Sequence, residues 1–208
     1  MTASIADRAD RAQRAEQAKA ARREEILGAA RRVFAERGFR GTTIADIAEE
    51  AKIALGTIYL YFASKQDVFV ALNQRFNEVI TQATSNIRAG RTVGETSRRY
   101  VESVFDACEE NRDLVRLVVL NADPGSESAK RMREADTDRN RPLTNALARG
   151  MRDGAVREGD PVIMADIVRG AVSMAVYQAF VVSNGAHAQQ YRDACADMLS
   201  AYLTPETA

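Results

Sequence analysis

The chain has 208 residues, with 29 Lys+Arg against 29 Asp+Glu, 46% apolar residues, 12 Gly and 4 Pro, a balance that excludes fibrous, collagen-like and wholly disordered proteins. Its two cysteines, Cys108 and Cys195, supply neither a disulfide framework nor a cysteine-based metal site, so a reducing cytoplasm is the expected compartment. Zero net charge hides a bias, because residues 1–45 hold 10 basic and 6 acidic side chains, and a polyanionic partner is therefore to be sought at this end.

Helical spacing runs through nearly every segment and sustained alternation through none, which predicts an all-α protein. Residues 1–21 are rich in Ala, Arg, Glu and Gln and carry one large apolar residue, Ile5, so they read as an arm, flexible or helical, with nothing to pack. It has no apolar stretch that resembles a signal-peptide core. Its basic residues Arg8, Arg11, Arg14 and Lys19, with Arg22 and Arg23 beyond, are interleaved with Asp7, Asp10, Glu16, Glu24 and Glu25. The plain reading is a solvated charged helix, and the alternative is contact of its arginines with phosphates or a minor groove.

A core face starts at Ile26, continues through Ala30, Val33 and Phe34, and stops at Gly38, which suits a left-handed cap. Beyond a connector at 39–42, Thr43 is placed to cap a second helix with Asp46 in its first turn, and Ile44, Ile47, Ala48 and Ala51 make its apolar stripe. Lys52, Ile53 and Ala54 form a turn, and 55–62 a short third helix with Ile58 and Phe62 facing inward. Ser64 caps a fourth helix, with Asp67 three residues on, that runs to about residue 86. Longer helices follow at about 94–110, 112–121, 126–157, 161–183 and 188–203, with Pro142 expected to kink or split the third of these and Pro161 suited to a first turn. The most apolar window, 162–183, is interrupted by Asp166 and Arg169 and reads as a buried helix in water rather than a membrane span.

Residues 43–65 carry the chemistry. Two short helices joined by a tight turn make a helix-turn-helix, whose second helix fits the major groove of duplex DNA. In Leu55-Gly-Thr-Ile-Tyr-Leu-Tyr-Phe62, Gly56 permits close approach of the backbone, while Thr57, Tyr59 and Tyr61 offer hydroxyls on a face that Ile58 and Phe62 do not need. Thr43 and Lys65 stand at helix starts, where backbone N–H groups and a positive side chain together suit a phosphate.

With Ile-Leu-x-Ala-Ala at 26–30, Phe-Ala-Glu-Arg-Gly-Phe at 34–39, Gly-Thr-Thr-Ile at 41–44 and Gly-Thr-Ile-Tyr-x-Tyr-Phe-x-Ser-Lys at 56–65, the block 25–69 resembles the DNA-binding domain of the tetracycline-repressor family. The resemblance implies that Thr43, Gly56, Thr57, Tyr59, Tyr61 and Lys65 touch phosphates and that Ala45, Ala54 and Leu55 face base edges. Three residues depart from the family's pattern. Lys52 stands where a Gly is usual, which strains the turn by about 1 kcal/mol if a positive φ is needed, or adds a phosphate contact. Ala54 and Leu55 replace polar residues, which favours contact with thymine methyls over hydrogen-bonded readout.

The organisation this implies is an arm at 1–21, a helix-turn-helix domain at 22–68, and a helical effector-binding and dimerisation domain at 69–208. In the last of these Phe105, Cys108, Leu117, Asn121, Met151, Met174, Tyr177 and Gln178 are candidates for a small-molecule pocket, and ordinary core packing explains them equally well. The lone His187 reads as surface loop, and Glu134, Asp136 and Asp138 lack the spacing of a calcium loop. The resemblance further implies a homodimer joined through the last two helices, so that two recognition helices read a palindromic DNA operator. The expected function is a ligand-responsive regulator, a repressor released by a small-molecule effector, with no catalytic residues, metal, cofactor or membrane partner. The rival reading is a helical ligand-binding protein or enzyme that keeps the helix-turn-helix as scaffold.

Overall fold

The structure is a computed structural model that describes residues 5–85, 87, 90–121 and 141–206. The predicted stretch 126–140, with Glu134, Asp136 and Asp138, lies outside these. Among the described residues every regular element is helical. The chain divides into two compact units, Met1–Leu72 and Asn73–Ala208.

In the first unit α1 (Ile5–Gly41) is hydrogen-bonded as a helix throughout except at Gly38, whose φ of 72° and ψ of 163° break it where a stop was expected. From Ile5 on, the arm is therefore helical, and continuous with the core-forming part. From residue 8 to 25 it is almost wholly exposed, whereas Ile26, Leu27, Ala29, Ala30, Val33 and Phe34 are buried. α2 (Ile44–Glu50) starts with a reciprocal cap in which Asp46 N donates to Thr43 Oγ1 while the Asp46 carboxylate accepts from Thr43 N. Hydrogen bonds from Thr43 and the Arg37 guanidinium at 2.9 Å hold the Asp46 carboxyl below its ordinary pKa.

α3 (Leu55–Ile58) is half the expected length. Thr57, Ile58, Tyr59, Tyr61 and Phe62 are β-branched or aromatic and support a helix weakly, and after Ile58 the chain turns through tighter bonds, Leu60 N to Thr57 O and Tyr61 N to Ile58 O. Ile58 and Phe62 are nevertheless buried, as their spacing predicts. α4 (Lys65–Ser85) begins at a Ser64 cap that accepts from Asp67 N and donates to its carboxylate.

The connector into α2 is held by three hydrogen bonds. Thr42, buried in spite of its hydroxyl, donates to Gly38 O at 2.8 Å. The Lys65 ammonium donates to Phe39 O and Thr42 O at 2.8 and 2.7 Å and lies 4.7 Å from the centre of the Phe39 ring. Phe39 in turn packs between Phe34 and Phe69, with ring centroids 5.4 and 5.0 Å away.

Lys52 adopts a φ of 55° in the turn between α2 and α3. A side chain in this left-handed region crowds its own carbonyl, whereas Gly does not. Lys52→Gly is therefore expected to stabilise the protein by about 1 kcal/mol, read as a higher urea midpoint; a lower midpoint would show that the lysine stem packs usefully on the turn.

The second unit contains α5 (Val93–Glu110), α6 (Arg112–Leu120), α7 (Arg141–Arg152), α8 (Pro161–Val176) and α9 (Ala188–Leu203), with α8 continuing as a π-helical turn, Tyr177–Val182. α7 has Pro142 in its first turn and ends before Gly154, five residues short of the expected end. Asp160 caps α8 by accepting from Val162 N and Ile163 N, with Pro161 at the first helical position as predicted. The core joins Val101, Phe105, Cys108 and Val115 to Val168, Val172, Phe180, Cys195 and Leu199. Within it Phe105 and Phe180 pack with centroids 5.7 Å apart and ring planes tilted by 53°, and Arg192 and Arg112 lie over the Phe105 and Phe180 rings respectively. α5 and α9 are also tied by Arg98 to Asp193 and Asp197, and by Arg192 to Asp106.

The expectation that 162–183 forms a buried helix needs correction. The segment Pro161–Val182 is long and apolar enough to cross a membrane, yet only 33% of its window is buried. Met164, Ala165, Val168, Val172 and Val176 face the core, while Val162, Ile163, Ile167, Met174 and Val182 are exposed. Apolar residues occupy both sides of the helix, and the described residues cover one side.

Candidate nucleic-acid interface

Burial of Ile58 and Phe62 turns the rest of the 54–61 segment outward. Ala54 and Leu55 are exposed at the start of α3, Tyr59 is 50% exposed, and Thr57 and Tyr61 are half-buried. Gly56 is exposed, and a Cβ there would meet nothing within 4 Å. Neither strain nor crowding within the protein requires glycine at 56, so its effect is to leave the surface open to an outside partner. Ala45 lies exposed on α2, and Lys52 is exposed in the turn.

The residues implied to touch phosphates are placed in different ways. Thr43 is exposed, but its hydroxyl donates to the Asp46 carboxylate at 2.7 Å and is already engaged. Lys65 is half-buried, with two of its three N–H donors spent on the Phe39 and Thr42 carbonyls. Its position at a helix N-terminus, where a cation is disfavoured by the helix dipole, is offset by those two oxygens. The expectation of a phosphate grip at Lys65 thus meets a structural clamp, which sequence spacing could not show because the carbonyls come from residues 23 and 26 positions earlier.

One surface residue escaped the sequence reading. Leu60 is 77% exposed, the most open of the large apolar side chains among the described residues. With a full helix at 55–62 its direction was ambiguous, and the early end of α3 swings it out beside Tyr61. Leu60 and Tyr61 form one wall of an open groove of about 500 Å³ whose other wall is Ala15, Ala18, Lys19 and Arg22 of α1. Next to it the Arg23 guanidinium lies 5.1 Å from the centre of the Phe62 ring.

The pocket candidates of the second unit do not converge. Phe105, Cys108 and Leu117 are buried in the core, where burial pushes the thiol of Cys108 up to about 12 and that of Cys195 to about 11. Asn121 donates to Leu117 O at 2.8 Å, and Met151 packs at the edge of the core. Tyr177 and Gln178 are half-buried at the start of the π turn, and Met174 is exposed on the outer side of α8. Residues 172 and 176 of that helix face the core, so 174, about 200° round from 172, cannot share a lining with Phe105. His187 is exposed just before α9.

Residues 26–72 match the model of the family described as bacterial regulatory proteins, tetR family. The chain is 27% identical over 143 residues to the fatty acid metabolism regulator protein of Bacillus subtilis (strain 168), covering 68% of this chain and 74% of that protein. It is also 27% identical over 154 residues to the HTH-type transcriptional repressor KstR2 of Rhodococcus jostii (strain RHA1), covering 70% and 73%. Among solved structures, the transcriptional regulator FadR from Bacillus subtilis in complex with stearoyl-CoA is similar with a TM-score of 0.74 at 21% identity, over 86% of this chain and 98% of that one. FadR from Bacillus halodurans also gives 0.74 at 21% identity, over 86% and 94%. These two likenesses extend the shared fold through the second unit. With a recognition element whose apolar side is buried and whose hydroxyl-bearing side is open, and with a family match over that element, residues 26–72 are a DNA-binding domain of the tetR family of bacterial regulatory proteins.

Proposed function

We propose that the protein is a cytoplasmic, dimeric repressor that leaves a palindromic operator when its helical domain binds a small molecule. The observation that carries this reading is the outward presentation of Leu55, Tyr59 and Leu60 on a turn anchored by buried Ile58 and Phe62. Tyr59, Tyr61, Thr57 and Lys52 would contact the sugar–phosphate backbone, and the remaining Lys65 donor would add to this. Ala45, Ala54 and Leu55 would meet base edges, where apolar side chains suit the methyl group of thymine.

A homodimer accounts for the uncovered side of α8. Ile163, Ile167, Gly170 and Met174 follow one another at helical spacing along that side, and a Cβ at Gly170 would meet nothing within 4 Å. On α9, Ala194, Met198 and Ala201 form a similar exposed stripe of small and flexible apolar residues. Two copies related by a two-fold axis would bury both stripes against each other, and would set two recognition helices at the spacing of operator half-sites.

Release requires an effector that prefers the non-binding conformation, and the shift can be no larger than that preference. The relative solved with stearoyl-CoA, and the fatty acid metabolism regulator that the chain resembles over most of its length, support an acyl thioester as the first effector class to test. Selection of duplexes from a random DNA pool, with and without stearoyl-CoA, tests the whole reading. A palindrome recovered without the thioester and lost with it is the expected outcome. Tyr59→Ala should weaken binding to that palindrome by about tenfold, the equivalent of 1.4 kcal/mol. If no palindrome is recovered under any condition, the repressor reading fails; if one is recovered but stearoyl-CoA does not release it, only the effector class falls.

A further inference from the structure

The N-terminal arm is not a uniformly charged helix. Arg8, Arg11, Lys19 and Arg22 fall at helical spacing with Ala15 and Ala18 along one face of α1, while Asp10, Glu16 and Glu24 fall on the opposite half and Asp7 and Glu25 border the stripe. Over 14 residues this basic stripe extends about 21 Å along the helix. Its inner end is also placed: Ala15, Ala18, Lys19 and Arg22 line the groove whose far wall is Leu60 and Tyr61, and both of those follow directly on the recognition helix. The two alanines keep that groove open. Arg23, stacked on the buried ring of Phe62, ties the arm to the recognition segment at the point where it enters the core. Arg22 also pairs with Glu25, and farther out along the stripe stand Lys19, Arg11 and Arg8.

From this arrangement we propose that the arm is a second DNA-binding element, a preformed rail whose basic stripe follows the sugar–phosphate strand next to the base pairs read by α3. A duplex seated against Tyr59 and Leu60 brings its nearer strand first to Lys19 and Arg22 and then, farther out, to Arg11 and Arg8. Helical continuity with the core-forming part of α1 means that little ordering entropy is lost on binding, in contrast to a disordered tail. The stripe holds alanine but no large apolar residue, which favours a polyanion over a lipid surface, where an interfacial helix needs a hydrophobic face. The inference rests on the DNA-binding reading and extends the contact beyond the helix-turn-helix.

The test compares the full-length chain with the triple variant Arg8→Gln, Arg11→Gln, Lys19→Gln, whose positions are exposed and whose replacements keep the helix. Fluorescence anisotropy on a labelled 30-base-pair random-sequence duplex, titrated at several salt concentrations, reads the number of phosphates engaged. Each lost phosphate contact lowers the slope of log K against log salt by about 0.9, so the triple variant should lose about two to three units for each subunit bound. A charge-matched control, Arg91→Gln, Arg149→Gln, Arg152→Gln, from exposed positions of the second unit, should keep the wild-type slope. An unchanged slope in the arm variant, with the wild type binding normally, overturns the rail and leaves the repressor reading standing. Absence of binding by the wild type at low salt overturns both. Loss of binding to phosphatidylglycerol vesicles in the arm variant, with no change in the DNA slope, would assign the stripe to a membrane instead and overturn the proposal.

Discussion

Lys65→Met is expected to destabilise the N-terminal unit by about 2 kcal/mol, read as a lower urea midpoint for the loss of helical circular dichroism. The methionine keeps most of the stem's volume but removes the donor shared by Phe39 O and Thr42 O. Thr42 is buried, so its carbonyl is poorly placed to recover a hydrogen bond from water, and charge-assisted bonds are the stronger kind. The cation over the Phe39 ring is lost as well. An effect of this size is a sizeable part of the 5–15 kcal/mol typical of a domain. The same variant reports on DNA: if the third ammonium donor also reaches a phosphate, the salt slope of binding falls by about one unit. An unmoved midpoint would show that solvent replaces both bonds without cost, and the clamp would have to be abandoned.

Gly38→Ala should be comparably damaging for a different reason. At φ 72° and ψ 163° the residue occupies a region that glycine enters readily and residues with a side chain do not. An added methyl would meet no neighbouring atom within 4 Å, so the whole cost, about 2 kcal/mol, lies in the backbone. Two outcomes separate strain from rearrangement. A lower urea midpoint with unchanged affinity for duplex DNA means that the turn is kept under strain. A midpoint near the wild-type value with weakened DNA binding means that the chain relaxes at 38 and α2 leaves its place. If neither midpoint nor affinity changes, the break at 38 has no conformational requirement.

These two residues also show where sequence reading stops. Gly38 was legible as a stop because its reason is local: apolar spacing ends at Phe34 and the one residue type that tolerates positive φ follows. The caps at Thr43 and Ser64 were legible for the same reason, since each is satisfied by a residue three positions along the chain. Lys65 reads as a phosphate ligand because it stands at a helix start, where backbone N–H groups and a positive side chain suit an anion. Its partners lie across the fold. Similarly, α3 was overestimated because a period of 3.6 residues persists through the tighter turn that follows Ile58, and Leu60 escaped notice with it.

What the sequence determined by itself is everything set by neighbours within about one helical turn: the all-helical class, most caps and breaks, the inward pair Ile58 and Phe62, and the motif that identifies the family. Only the tertiary structure decided which polar groups are spent inside the protein, that α8 is apolar on two sides with one covered, that Met174 and Phe105 face apart, and that the basic stripe of the arm flanks the recognition turn. The physical reason is one of range. Backbone geometry and capping are local interactions whose strength depends on spacing along the chain, whereas desolvation and the pairing of buried polar groups depend on which distant segments the packed fold brings into contact.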